Sequence, residues 1–179
     1  MSPIEHVRKQ VPNLLSASRI IAALAFPFIP VSWRFPMILW ALLSEFLDGF
    51  LARKWNAITQ LGQLLDPIGD KLFILATITV LILERQLSWL DFVLIAMRDI
   101  VVACGTISIL LEARSQSISF LMPRMSGKIT TAFQFALLTS FYGFPALVPY
   151  LFVSTIVVSC ISALDYLYAA LHRRFDKAL

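Results

Sequence analysis

Apolar residues fall in six long blocks broken by short polar or charged stretches, at about Leu14–Ser32, Met37–Arg53, Leu61–Leu83, Leu90–Leu111, Ile129–Phe144 and Leu147–Leu171. A helix needs about 20 apolar residues to cross a bilayer, somewhat fewer where polar interruptions are tolerated at its ends. The pattern therefore predicts an all-α integral membrane protein with six transmembrane helices. The second and fifth blocks are short. The third relies on residues 72–83 for its apolar part, which leaves Asp66 and Asp70 near one interface. Before the first block, residues 1–13 set Ile4, Val7 and Val11 against Arg8 and Lys9 and read as a short interfacial helix. No small-residue cleavage site follows a short apolar core, so the first span is expected to remain as an anchor rather than a signal peptide. With no repeat or linker in view, residues 1–179 read as a single membrane domain.

Composition agrees. The chain is 59% hydrophobic, against about 45–50% for a soluble domain. Its net charge of +4 is spread over the connections between blocks rather than over a basic soluble face, which argues against nucleic acid. Arg8 and Lys9, Arg53 and Lys54, the group Arg114, Arg124 and Lys128, and the group Arg173, Arg174 and Lys177 all fall on one side of the predicted topology. Arg34 and Arg85 alone fall in the loops on the other side. The positive-inside rule then places both termini in the cytoplasm. The two cysteines, Cys104 and Cys160, lie within apolar blocks and read as small buried hydrophobes rather than a disulfide or metal pair.

Four acids interrupt this apolar sequence. Glu45 and Asp48 are three residues apart, and Asp66 and Asp70 are four apart, so each pair shares one face of a helix. Carboxylates are costly at membrane depth and are functional candidates there. Converging carboxylates repel, and bound cations relieve that. An all-oxygen ligand set selects a hard ion, Mg²⁺, Mn²⁺ or Ca²⁺, over Zn²⁺. The pairs flank Arg53 and Lys54, so the polar, metal-binding cavity is expected to open to the cytoplasmic side. Gly49, Ala52 and Gly62 clear bulk where a ligand could approach closely, and Arg53 is a fork suited to phosphate.

The run Glu45-x2-Asp48-Gly49-x2-Ala52-Arg53-x8-Gly62-x3-Asp66-x3-Asp70 resembles the signature of the CDP-alcohol phosphotransferases, Asp-x2-Asp-Gly-x2-Ala-Arg-x8-Gly-x3-Asp-x3-Asp. Seven of its eight defining residues match at the right spacing. The segments Pro12 to Arg19, Gly49 to Asn56, Leu65 to Lys71 and Ser126 to Gln134 are similar to the phosphatidylglycerophosphate synthase and cardiolipin synthase branch.

This resemblance implies a phospholipid-synthesising transferase that uses CDP-diacylglycerol and two divalent cations, Mg²⁺ or Mn²⁺. An acceptor hydroxyl attacks the β-phosphorus, and CMP leaves. By position, Glu45, Asp48, Asp66 and Asp70 are implied metal ligands, with Asp66 and Asp70 catalytic and Asp70 the general base. Gly49, Ala52, Arg53 and Gly62 are implied to receive the nucleotide and diphosphate. The resemblance also implies a homodimer in a membrane, taken to be the bacterial inner membrane. The departure is Glu45, where the family has Asp. One extra methylene shifts a ligand oxygen by roughly an ångström, and a misplacement of that size costs about 10²-fold in rate. Altered metal preference or nucleotide fit is expected; a degenerate, inactive relative is the alternative.

An acceptor that carries a phosphate calls for basic residues. Arg98, inside the fourth block, and Arg114, Arg124 and Lys128 are the candidates. Asp99 should point about 100° away from Arg98 on a helix and make a poor direct partner. Phosphatidylglycerophosphate synthases often carry a second arginine one heptad later, where this chain has Gly105; in that respect it is similar to cardiolipin synthases, which use phosphatidylglycerol. Trp55-Asn56 and the small size favour glycerol 3-phosphate, the preferred acceptor. An ion or proton carrier is a reading from another class, weakened by the absence of inverted repeats. His6 and His172 read as surface residues. Asp165 reads equally as a buried polar contact or a cavity residue. Lys71 reads as a neutraliser of the acids, and Phe46, Phe50 and Trp55 as packing or interface anchors. Ser44 and Thr59 read equally as nucleotide contacts or helix-packing residues.

Overall fold

The computed structural model describes the backbone of residues 3–55, 60–111 and 125–175, and the side chains of residues 11, 14–48, 50, 54–55, 68–106 and 125–169. All regular structure among them is helical: α1 (Pro3–Ala25), α2 (Val31–Lys54), α3 (Gln60–Leu83), α4 (Trp89–Ile95), α5 (Met97–Leu111), α6 (Met125–Gly143) and α7 (Val148–Phe175). The six apolar blocks therefore become seven helices. The fourth block breaks at Ala96, which leaves helical geometry at ψ 4°. The N-terminal segment is no separate element either, since α1 runs unbroken through Pro12 from Pro3. Only one helical stretch among the described residues, Pro145–Ala169, is long and apolar enough by itself to cross a membrane, with a mean hydropathy of 2.1. Residues 14–28 form a shorter apolar helix.

The chain divides into two compact units. The first comprises residues 1–87 and 141–144, and α1 packs in it against both α2 and α3. A short 3₁₀ turn, Phe26–Phe28, ends α1, with Pro27 setting its first turn. Phe26 is fully buried there, edge-on to Phe73 at 5.6 Å. The far end of α3 closes with Arg85 in the left-handed region (φ 59°), and the Gln86 N–H returns to the Leu81 carbonyl at 2.9 Å.

Arg34 is not the exposed loop charge that the topology suggested. It sits in the first turns of α2 and is buried. Its guanidinium pairs with Glu84, donates to the Tyr142 hydroxyl at 3.2 Å, and lies over the rings of Phe26 and Tyr142.

The second unit comprises residues 88–140 and 145–179, and α7 packs in it on α4 and α5. A capping box starts α4: Ser88 accepts from the Asp91 N–H, and Asp91 accepts from the Ser88 N–H. Exposed apolar side chains run down α7 at Tyr150, Val153, Val157, Ile161, Leu164 and Tyr168. That spacing makes a single continuous helical stripe. Neither cysteine is in a disulfide; Cys160 is half-buried against Met97, whereas Cys104 is exposed rather than buried.

Candidate active site

Asp48 on α2 and Asp70 on α3 converge, and what joins them is Arg19 of α1. The Arg19 side chain is fully buried, and its guanidinium forms ion pairs with both Asp48 and Asp70 through separate nitrogens. Asp48 is buried and Asp70 half-buried. One turn earlier on α1, the buried Ser16 hydroxyl donates to the same Asp48 oxygen at 3.4 Å. Three helices thus meet at one charged point. The close approach is possible because Gly69, beside Asp70, has no side chain: a Cβ there would stand 3.2 Å from the Ser16 carbonyl oxygen and 3.6 Å from Arg19 Cβ.

Glu45 lies one turn before Asp48 and is half-buried. Asp66 is on α3, one turn before Asp70, with its side chain outside the described residues, as are those of Ala52 and Arg53 on α2. Gly49 on α2 and Gly62 on α3 lie in the helices that carry the acids. Among the described residues no three Asp, Glu, His or Cys side chains gather. The donor chemistry nonetheless fits a hard cation. The placed acids, Glu45, Asp48 and Asp70, offer carboxylate oxygens, which suit a hard ion, although a buried guanidinium already pairs with two of them. Ser44, just before Glu45, is buried and donates to the Ala41 carbonyl of its own helix at 2.8 Å. Phe46 and Phe50 are exposed, and the Lys54 ammonium rests over the Phe50 ring. Thr59, His6 and His172 lie outside the described side chains.

Arg98 occupies a second polar cluster, within the other unit. It does pair with its neighbour: Nη1 donates to Asp99 Oδ1 at 2.8 Å, contrary to the expectation from helical geometry. Because α5 begins at Met97, both residues sit in a first turn, and the long arginine side chain folds back across it. Its other arm donates to the Tyr166 hydroxyl at 3.3 Å and lies 5.1 Å from the Tyr166 ring centroid. The fully buried Gln134 amide donates to Asp99 Oδ2 at 2.9 Å and to the Ile95 carbonyl at 3.1 Å. That carbonyl, at the break between α4 and α5, also accepts from Ser159 at 3.0 Å. Gly127 makes room for the arginine, for a Cβ there would run into its guanidinium. Asp165, on the same helix as Tyr166, accepts from Ser126 at 2.8 Å. Lys128 is exposed at the start of α6, whereas Arg114 and Arg124 lie outside the described residues.

The sequence reading missed Arg19 as a site residue, along with Ser16, Gln134 and Tyr166. Arg19 had a signal: an arginine within an apolar block is costly unless it is paired.

The sequence matches the model of the CDP-alcohol phosphatidyltransferase family over residues 9–165, and the chain belongs to that family. It is 36% identical over 129 residues to the CDP-diacylglycerol--glycerol-3-phosphate 3-phosphatidyltransferase of Aquifex aeolicus, covering 69% of this chain and 70% of that one. A CMP-forming cardiolipin synthase of Streptomyces coelicolor is 39% identical over 97 residues, 48% of this chain and 45% of its own. The Escherichia coli K12 counterpart of the Aquifex enzyme is 38% identical over 86 residues, 44% of this chain and 47% of its own. The chain thus spans less than half the length of the last two. Membership in this family makes the chain a phosphatidyltransferase rather than an ion carrier.

Proposed function

We propose that this chain transfers the phosphatidyl group of CDP-diacylglycerol to a glycerol hydroxyl, with glycerol 3-phosphate the acceptor and CMP the leaving group. The observation that carries the reading is the meeting of Asp48 and Asp70, from two ends of one spaced motif, around a single buried charge. The family match runs through both compact units, which supports one transferase domain over the chain. Six spans, a homodimer, and a cavity facing the cytoplasm of a bacterial inner membrane complete the proposal, from the charge pattern and the family resemblance.

Glu45, Asp48, Asp66 and Asp70 would hold divalent cations, Mg²⁺ or Mn²⁺. Such ions supply positive charge that stabilises the entering and leaving oxygens of an in-line displacement. The protein's own part is mostly to position and neutralise. Arg53 steadies the diphosphate, and Gly49, Ala52 and Gly62 let the nucleotide lie close to the helices. Asp70 accepts the proton of the acceptor hydroxyl as its oxygen attacks the β-phosphorus. The bond from that phosphorus to CMP breaks as the new ester forms. Arg98 receives the acceptor's phosphate; Arg114, Arg124 and Lys128 lend it positive charge.

A second acceptor, phosphatidylglycerol, has specific support in the Arg98–Asp99 pair with Gly105 one heptad on, and in the Streptomyces relative. CMP release by purified protein in nanodiscs, with CDP-diacylglycerol, metal and each acceptor in turn, decides between them. Release that requires metal and one acceptor, and is lost in Asp70→Asn, is the expected result. No release with either acceptor would sink the reading.

A further inference from the structure

Arg19 places a positive charge, fully buried, against two of the acids, and its chemistry conflicts with a metal in the same place. Its side chain is fully buried and bridges two of the four motif acids. A guanidinium cannot shed its proton to make way for a cation. At this point α1 also packs closely on α3, where Gly69 leaves room for the Ser16 carbonyl, and Ser16 adds a hydrogen bond to Asp48. Two divalent cations alone match the formal charge of four carboxylates, so Arg19 becomes a surplus positive charge whenever they bind. At such short range, in surroundings of reduced dielectric, that repulsion is large.

We propose that Arg19 is a built-in counter-cation of the acid site. It holds Asp48 and Asp70 together while metal is absent, and it competes with divalent metal for them. The inference rests on the metal-dependent transferase reading above. It goes beyond that reading in making metal affinity a property set against a residue of α1, outside the acid motif. The competition keeps α1, α2 and α3 assembled before metal arrives and holds metal affinity below what four acids would otherwise reach.

The test is direct Mn²⁺ binding, read by electron paramagnetic resonance of the free ion, on the full chain in nanodiscs without substrate. Thermal unfolding in chelator is measured alongside. Arg19→Gln should bind Mn²⁺ at least about fivefold more tightly than the parent, and should unfold at a lower temperature in chelator, where the acids have lost their counter-charge. Arg19→Lys keeps the charge but cannot span both carboxylates, so its affinity should fall between the two. It carries the test if Arg19→Gln does not fold. Affinity that is unchanged or weaker in either variant would overturn the proposal and make Arg19 a scaffold for the acids. If the parent itself binds no Mn²⁺ and releases no CMP, the transferase reading falls and this inference with it. Parent binding with weaker binding in the variants sinks this inference alone.

Discussion

Gly69 on α3 and Ser16 on α1 touch backbone to backbone, with only 3.2 Å between the Ser16 carbonyl oxygen and the place a Cβ at Gly69 would occupy. Alanine at this position gains about 1 kcal/mol of helix propensity but must push against a main-chain atom that has no rotamer to change. The two effects nearly cancel in stability and do not cancel in geometry, because Arg19 and Asp70 flank the contact. Gly69→Ala is therefore expected to fold with a Tm within a few degrees of the parent and to lose at least about tenfold in CMP release. Unfolding and turnover measured on one preparation check both halves.

The second cluster makes a different kind of prediction. A Cβ at Gly127 would meet the tip of Arg98, which is flexible and can swing away, and would stand 3.0 Å from the Tyr166 hydroxyl. Stability should change little in Gly127→Ala, while the guanidinium leaves Asp99 and Tyr166. If Arg98 receives the acceptor's phosphate, the acceptor's KM rises about tenfold or more and the KM for CDP-diacylglycerol stays near its parent value. Equal rises in both would argue that Arg98 serves the fold alone.

Arg34 should matter for folding and not for chemistry. Burial opposes its charge, yet hydrogen bonds to Glu84 and Tyr142 outweigh that and raise its pKa above the ordinary arginine value. A raised pKa of this kind gives stability that is present at every pH below the unfolded value and is lost only in strong alkali. Arg34→Met removes an ion pair, a hydrogen bond to Tyr142 and two ring contacts. The expected cost is about 2 kcal/mol, seen as a Tm lower by roughly 5 °C, with Mn²⁺ affinity unchanged.

Arg34 and Arg19 also mark how far the sequence could be read. Helix content, five of the seven helices and the acid motif follow from apolar blocks and fixed spacings, which are local properties of the chain. The break at Ala96 does not follow, because no proline or glycine marks it. It is stabilised from afar, by Gln134 and Ser159 reaching the Ile95 carbonyl. Arg34 looked like a loop charge because its partners Glu84 and Tyr142 are 50 and 108 residues away. Arg98 stood out as a charge inside an apolar block, but its bond to Asp99 depends on side-chain reach, which helical angles alone do not describe. Arg19 was visible as a costly charge in an apolar block. Its meaning needed the third dimension, since only the packing of α1 on both α2 and α3 delivers it to Asp48 and Asp70.

Glu45 carries the last prediction. It is the sole departure from the family's motif, and it lies half-buried on α2 one turn before Asp48. Its extra methylene displaces the ligand oxygen unless the helix yields. The two candidate metals should not feel this equally: Mg²⁺ demands near-ideal octahedral geometry at short distances and gives up its water reluctantly, so a misplaced oxygen costs it more than it costs the larger Mn²⁺. The parent chain should then favour Mn²⁺, and Glu45→Asp should raise CMP release with Mg²⁺ by about tenfold while changing the Mn²⁺ rate much less. The ratio of the two rates is the quantity to measure, because a general effect on folding or expression moves both together. Loss of activity with both metals in Glu45→Asp would mean that the surrounding residues have been refitted to the longer side chain, and that the glutamate is the adapted ligand of this chain rather than a flaw in it.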